Sequence, residues 1–309
     1  MDLRRPLRRR KNAALKPFLR PEAIPGTGDN LAVLCVRVAI AIASAAIASA
    51  LLAVGSTHVL AGDALAPGTE AGTPLQTADV AGARDGITLK LVDGREVRLA
   101  GAIAPSEIDG DGHASAHASA IHERLIAGKR VALYARDDRK DRYGRLAAQV
   151  AFAGDHPRWI QATLVSEGVL RVAPEAGDLA CAESLMGFER SARAGQKGLW
   201  SEPRLSVVKA EDLAVLNATM GRFSVVEGSV TRVGETADCT YLDFGRRYTE
   251  DFTIVIPRQA RAAFASAGID LKSLRGKQVR VRGVLFSSGG PAIEIRKPPS
   301  LEILTDRGT

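Results

Sequence analysis

The run Leu31–Val54, apolar throughout apart from Arg37, constrains this chain more than any other feature. A helix of roughly 20 such residues spans the hydrocarbon core of a bilayer, and Ala39–Ala53 offers no polar face of the kind a soluble helix carries. Ahead of it, residues 1–20 hold Arg4, Arg5, Arg8, Arg9, Arg10, Lys11, Lys16 and Arg20 against Asp2 alone. Basic residues before a span stay on the cytoplasmic side. The sequence therefore predicts a basic cytoplasmic tail over 1–30 and a single transmembrane helix over 31–54 in the inner membrane. Everything beyond is then periplasmic or extracellular. The alternative is a cleaved signal peptide and a secreted protein, because Val59-Leu60-Ala61 and Ala64-Leu65-Ala66 place small residues at cleavage spacing.

The tail also accounts for the charge. The formal balance of the 309 residues is +7, which the eight basic residues and one acid of 1–20 already supply. Residues 21–83 have one basic residue against five acids, 84–201 have 17 against 16, and 202–309 have 16 against 13. A long-range field that gathers polyanions is excluded for the folded part, so any such site is a local patch. Of the three cysteines, Cys35 lies in the span and Cys181 and Cys239 beyond it. An oxidising exterior permits a Cys181–Cys239 bridge. Cys181, Leu185, Phe188 and Ala192 fall on one helical stripe, however, which makes Cys181 a core thiol.

Residues 55–83 shift to Ala, Gly, Thr and Pro without periodicity and read as a flexible linker. From Arg84, strands are expected at Ile87–Val92 and Arg95–Ala100, joined by the hairpin dipeptide Asp93-Gly94. A loop over Ala104–Gly112 leads to a helix at His113–Ala127, with Ala114, Ala118, Ile121 and Leu125 on its apolar stripe. Strands follow at Lys129–Arg136 and Arg145–Phe152. A helix capped by Asp155 then runs through Trp159 and Leu164 to Gly168, and another from about Asp178 to Gly195. Barrel strands with one helix inserted and two appended describe an OB-type barrel with helical cover over 84–201, in the α+β class. Over 205–305, strands at Gly221–Val233, Thr240–Phe244, Phe252–Ile256, Gln278–Phe286 and Ala292–Arg296, with a helix at Arg258–Ala267, give the same order. A second OB-like β-barrel is expected there.

Four segments of 84–201 stand in a recognisable sequence: Asp85-Gly86-Ile87-Thr88, Arg98-Leu99-Ala100-Gly101-Ala102-Ile103-Ala104-Pro105-Ser106, Asp141-Arg142-Tyr143-Gly144-Arg145, and Gly198-Leu199-Trp200. Together they resemble the thermonuclease (staphylococcal-nuclease-like) family of calcium-dependent phosphodiesterases built on an OB barrel. The resemblance implies that Arg98 and Arg145 grip a phosphate, for which a planar fork of N–H donors is well suited. It also implies two aspartates holding calcium and a glutamate orienting water. Those positions are Ile87, Ile103 and Ser106, and isoleucine has no oxygen to offer calcium. Glu107 stands one residue beyond the glutamate position and is the remaining catalytic candidate. Asp109 and Asp111, near His113, are candidates for a relocated metal, against the plainer reading of a solvated Asp/Gly turn before a helix. His113 and His117 share a helix face and are expected to face solvent.

Arg98 lies in an alternating strand, where it either meets a ligand or pairs with an acid such as Asp141. Tyr143 either stacks on a base or packs on its own loop. Arg280 and Arg282 alternate with Val279 and Val281 near Lys277, as a polyanion stripe or a solvated strand face. Three functions follow. The first is a tethered module that binds single-stranded nucleic acid, a nucleotide or another polyanion through Arg98, Arg145 and Tyr143, with no cofactor. The second is a nuclease with a displaced metal site, using calcium. The third is a protein-docking module.

Overall fold

The computed structural model describes residues 74–304, apart from 109–111, 136–139, 155–156, 177–178 and 248–249. The tail, the expected span, most of the linker, Cys35, Asp109, Asp111 and Asp155 lie outside the described residues. Among those described, no helix is long and apolar enough to cross a membrane.

The chain enters through β1 (Gln76–Ala83), β2 (Thr88–Leu91), β3 (Glu96–Leu99) and the short β4 (Ala102–Ile103), followed by α1 (His113–Ile126). It continues through β5 (Arg130–Tyr134), β6 (Leu146–Phe152), α2 (Ile160–Ser166), β7 (Arg171–Val172) and α3 (Leu179–Ala194). Five strands close a barrel in the order β1-β2-β3-β6-β5, with β1 pairing both β2 and β5. Closure leaves no open edge. Val97 and Leu99 alternate inward from β3 to join Leu89, Leu91, Leu133 and Val150 in the core. Residues 76–83 are therefore strand where a linker is expected. Only Val80 of this Ala- and Gly-rich segment is fully buried, so its pairing comes from the ladders on either side and not from an apolar pattern of its own.

Helices cover one side. The buried stripe of α1 is Ala114, Ala118, His122 and Ile126, while Ile121 and Leu125 are only partly buried, a rotation from the expected face. Cys181, Leu185 and Ala192 of α3 are buried as expected, and both described cysteines are unbridged. Gly198 closes this part at φ +50, where a Cβ would stand 2.6 Å from the carbonyl oxygens of Glu167 and Gly168. Only glycine tolerates both conditions, which explains the Gly-Leu-Trp ending.

The remainder holds β8 (Val208–Lys209), α4 (Leu213–Ala218), β9 (Phe223–Ser229), β10 (Arg232–Glu235), β11 (Cys239–Asp243) and β12 (Thr253–Pro257). After these come α5 (Arg261–Ser266), β13 (Gln278–Ser288), β14 (Gly290–Glu294) and β15 (Leu301–Leu304). They form an eight-stranded sheet ordered β10-β11-β12-β14-β13-β9-β8, with β15 on β13. The five strands expected for the second barrel are all present, with β8 and β15 added, but the ladder is interrupted between β9 and β10. The reason is a break in the first expected strand. Val230 donates its N–H to Lys277 on the β13 side, while Thr231 donates to Asp243 on the β11 side. One bent stretch thereby supplies both β9 and β10, and read as one strand it repeats the order of the barrel.

The two parts are packed together. Ile103, Ile108, Leu199 and Trp200 share an apolar cluster with Phe223 and Val225 of β9. Glu175 accepts backbone N–H bonds from Arg296 and Lys297 at 3.0 and 2.9 Å.

Candidate functional site

The site builds outward from Thr88. It is fully buried, although it lies on the face of β2 opposite Leu89, and it pairs across the ladder with Arg98 on β3. Arg98 alternates with the core residues Val97 and Leu99 and stands on the outer face, half-buried, its Nη2 3.3 Å from Ala102 O. Arg145 immediately precedes β6, which runs parallel to β3, and its Nη1 reaches Thr88 Oγ1 at 3.4 Å. Arg145 thus touches Thr88 through its side chain, and Arg98 is placed beside Thr88 by strand register, its own guanidinium turned to the Ala102 carbonyl.

The Arg145 guanidinium is fixed by Asp141, whose Oδ2 lies 2.8 Å from both Nε and Nη2. Asp141 also holds its own turn. Its Oδ1 accepts the N–H groups of Tyr143 and Arg145 at 2.8 and 3.0 Å, and Gly144 bends the chain at φ 78. Burial pushes the Asp141 carboxyl up, but the bonds from Arg145 and Tyr143 outweigh it and leave the carboxyl below its ordinary value. Asp141 therefore stays ionised and belongs to Arg145. Arginine has five N–H donors, and those bonded here leave the outer edge of the Arg145 fork facing away from Asp141. Tyr143 is 62% exposed, and its ring packs under Arg142 and Arg145, whose Cζ atoms lie 4.7 and 5.0 Å from the ring centroid. Of its two expected roles, packing on its own loop is the one with contacts here.

Ile87 is buried in the barrel core, and Asp85 Oδ1 accepts the Ile87 N–H at 2.8 Å. Ile103 is buried in the cluster that reaches β9. Calcium requires several oxygen ligands, and hydrocarbon occupies both positions where the resemblance would put carboxylates. The residues present do not fit that ion. Among the described residues no group of three or more His, Cys, Asp or Glu is placed to hold a metal. Ser106 is exposed in the middle of the turn Pro105–Glu107. The Glu107 carboxylate, like Asp109 and Asp111, lies outside what the structure describes. His113 and His117 are exposed, as expected.

Arg280 and Arg282 form neither a polyanion stripe nor a solvated face. Arg280 is flanked across the ladders by Glu227 of β9 and Glu302 of β15. Arg282 is fully buried against Glu189 of α3, which is equally buried, and bonds Glu302 at 2.6 Å. A helix remote in sequence supplies the acid, so the alternation alone could not reveal it.

His122 escapes the sequence reading. It is fully buried, with Nδ1 2.9 Å from Asp85 O and Nε2 without a hydrogen-bond partner. Burial lowers its pKa from the usual histidine value. Extending Ala114 and Ala118 by four residues would have found it.

A closed barrel with Arg98 on β3 and Arg145 just before the adjacent β6 has the frame of a nuclease-like domain. Residues 96–202 match the model of the family described as staphylococcal nuclease homologue. That match covers less than half of the chain. It begins after the Asp85–Thr88 segment and leaves the eight-stranded sheet outside. The family generally uses calcium and suggests nucleic-acid binding. No curated protein matches the chain.

Proposed function

We propose that this protein binds a phosphate-bearing ligand, single-stranded nucleic acid foremost, through Arg98 and Arg145, and lacks the calcium-dependent hydrolysis of the family it resembles. The observation that carries the reading is the pairing of opposites around Thr88. The Arg145 guanidinium, preset by Asp141, lies on Thr88, and Arg98 is the ladder partner of that threonine, while Ile87 and Ile103 stand where metal ligands would be needed. Phosphate recognition by arginine needs no metal. Stabilising the charge that develops during phosphodiester cleavage generally does. In this reading Leu31–Val54 tethers the binding domains to the inner membrane on its outer side, supported by the basic tail before the span.

The test uses the full chain in detergent, incubated with single-stranded DNA and RNA in calcium, magnesium, manganese or chelator, beside Arg98→Ala and Arg145→Ala. Expected are no cleavage and a salt-sensitive association that each variant weakens about tenfold or more, the scale of a charge-assisted contact. Metal-dependent cleavage lost in both variants would overturn the reading in favour of a nuclease with a displaced metal. Absence of both cleavage and binding would leave protein docking as the function.

A further inference from the structure

A cleft of about 580 Å³ opens on the eight-stranded sheet, at the bend between β9 and β10, the end of β11 and the turn before β13. Three guanidiniums border it, those of Arg232, Arg246 and Arg275, against one carboxylate, Asp243. Asp243 is nearly fully buried and already satisfied. Its Oδ2 accepts Arg232 Nε at 2.9 Å and its Oδ1 the Thr253 hydroxyl at 3.2 Å. Three cations and one anion leave two positive charges on the rim. Arg246 and Arg275 are exposed, and among the described residues neither has an ion-pair partner. Arg247, Arg261 and Arg280, in the same part of the chain, are paired with Glu250, Glu235 and Glu227.

The walls are set in advance. Gly276 donates to Val230 O at 2.7 Å, Val230 to Lys277 O at 3.0 Å and Thr231 to Asp243 O at 2.8 Å. The Thr231 hydroxyl lies 2.9 and 3.0 Å from the Asp243 and Gly245 carbonyl oxygens. Gly245 is pressed on Asp251, where a Cβ would stand 2.0 Å from Oδ2, and that same oxygen accepts the Arg247 N–H at 2.7 Å. Binding therefore has to order little beyond two arginine side chains, which limits its entropic cost. No aromatic side chain lines the cleft, so there is no platform for stacking a base. What remains to be recognised is the anion itself, and arginine forks match phosphate.

We propose that this cleft is a second phosphate-binding site, whose cations are Arg246 and Arg275 with Arg232 held in place by Asp243. It is independent of the reading of Arg98 and Arg145. A small phosphate anion and the backbone of a single strand share this chemistry.

The test titrates the full chain with inorganic pyrophosphate by calorimetry and with labelled oligothymidylate by anisotropy, beside Arg246→Gln/Arg275→Gln and Arg98→Ala/Arg145→Ala. Among the described residues neither Arg246 nor Arg275 has an ion-pair partner to lose, so the glutamine pair is expected to unfold at the wild-type urea midpoint. The expected result is a pyrophosphate site weakened at least tenfold in the glutamine pair and retained in the alanine pair. Pyrophosphate binding unchanged in the glutamine pair overturns the proposal, whatever the alanine pair does. Loss in the glutamine pair upholds it, and the barrel reading is decided separately, by whether the alanine pair weakens oligothymidylate binding. In the oligothymidylate arm, a salt slope reduced by about 1.4, at about 0.7 per lost phosphate contact on a single strand, assigns the site to polymer backbone. An unchanged slope with pyrophosphate binding lost upholds the site for small phosphate anions.

Discussion

Arg98 on β3 and Arg282 on β13 occupy similar sequence patterns and have opposite fates. Each alternates with valine or leucine that enters a core. Arg98 remains half-buried on an outer face as the ladder partner of Thr88, whereas Arg282 is walled in by Glu189 and Glu302. The alternation decides only which side of a strand a cation occupies. What later packs on that side decides whether the cation is a binding group or a structural one. For Arg282 the packing element is α3, which docks the sheet onto the barrel.

Breaking the Arg282 pair is the most damaging change expected. Arg282→Met leaves Glu189 buried without its Arg282 partner, at a cost of about 3–5 kcal/mol, and Glu189→Leu, which leaves Arg282 its bond to Glu302, is expected to cost less. Combining them removes both charges and is expected to recover a large part of the loss, although the Val172 N–H then loses its bond to Glu189. Urea unfolding of the four proteins gives the comparison. Singles that lose less than about 1 kcal/mol would place Arg282 in the same category as an exposed ion pair.

Next in size is Ile103→Asp. It restores the residue type that the family resemblance calls for, but puts a carboxylate into the apolar cluster between barrel and sheet. A cost on the order of 3 kcal/mol is expected for an unpaired buried charge. Millimolar calcium is expected to leave the wild-type urea midpoint unchanged, since an ion without a site on the folded state cannot stabilise it. A calcium-dependent rise in that midpoint would show a metal site and undercut the binding-only function.

Much of the barrel is legible in the sequence because its signals are local. Apolar alternation places β3, the Asp93-Gly94 turn sets the β2–β3 hairpin, and Gly198 marks a closure that only glycine can make. Strand β1 was not legible, since Ala and Gly carry no period and its partners β2 and β5 lie later in the chain. The arginine pair of the candidate site could be named from motif spacing, but not its geometry. Asp141 is drawn to Arg145 by a four-residue turn, and Arg98 meets Thr88 only through strand register. The cleft of Arg232, Arg246 and Arg275 has no signature, because one strand start and two separate turns contribute one cation each.

Arg145→Ala sharpens the contrast from the other side. Its pair with Asp141 is partly solvated, with 16% and 21% of the side chains exposed, so a loss of only about 1 kcal/mol in urea is expected alongside a large loss of ligand binding. A stability loss as large as that of Arg282→Met would mean that Arg145 also serves mainly to hold the fold.

The smallest effect concerns pH and the turn beneath the site. His122 fixes the Asp85 carbonyl, one residue pair away from Thr88, and it is buried with its pKa lowered by desolvation. The folded state therefore prefers the neutral ring. As pH falls through the ordinary histidine value of about 6.5, the unfolded chain takes up a proton that the folded chain refuses. Stability is then lost progressively from that pH down to the folded-state pKa, and is fully present above it. His122→Gln replaces the ring with an amide N–H able to donate to Asp85 O, without a titrating group. Its urea midpoint is expected to vary less than wild type between about pH 8 and about pH 5. Equal variation in the two proteins would assign the acid sensitivity to other groups. Any weakening of nucleic-acid binding over the same pH range that His122→Gln abolishes would tie the buried ring to the arginine site through the Asp85–Thr88 turn.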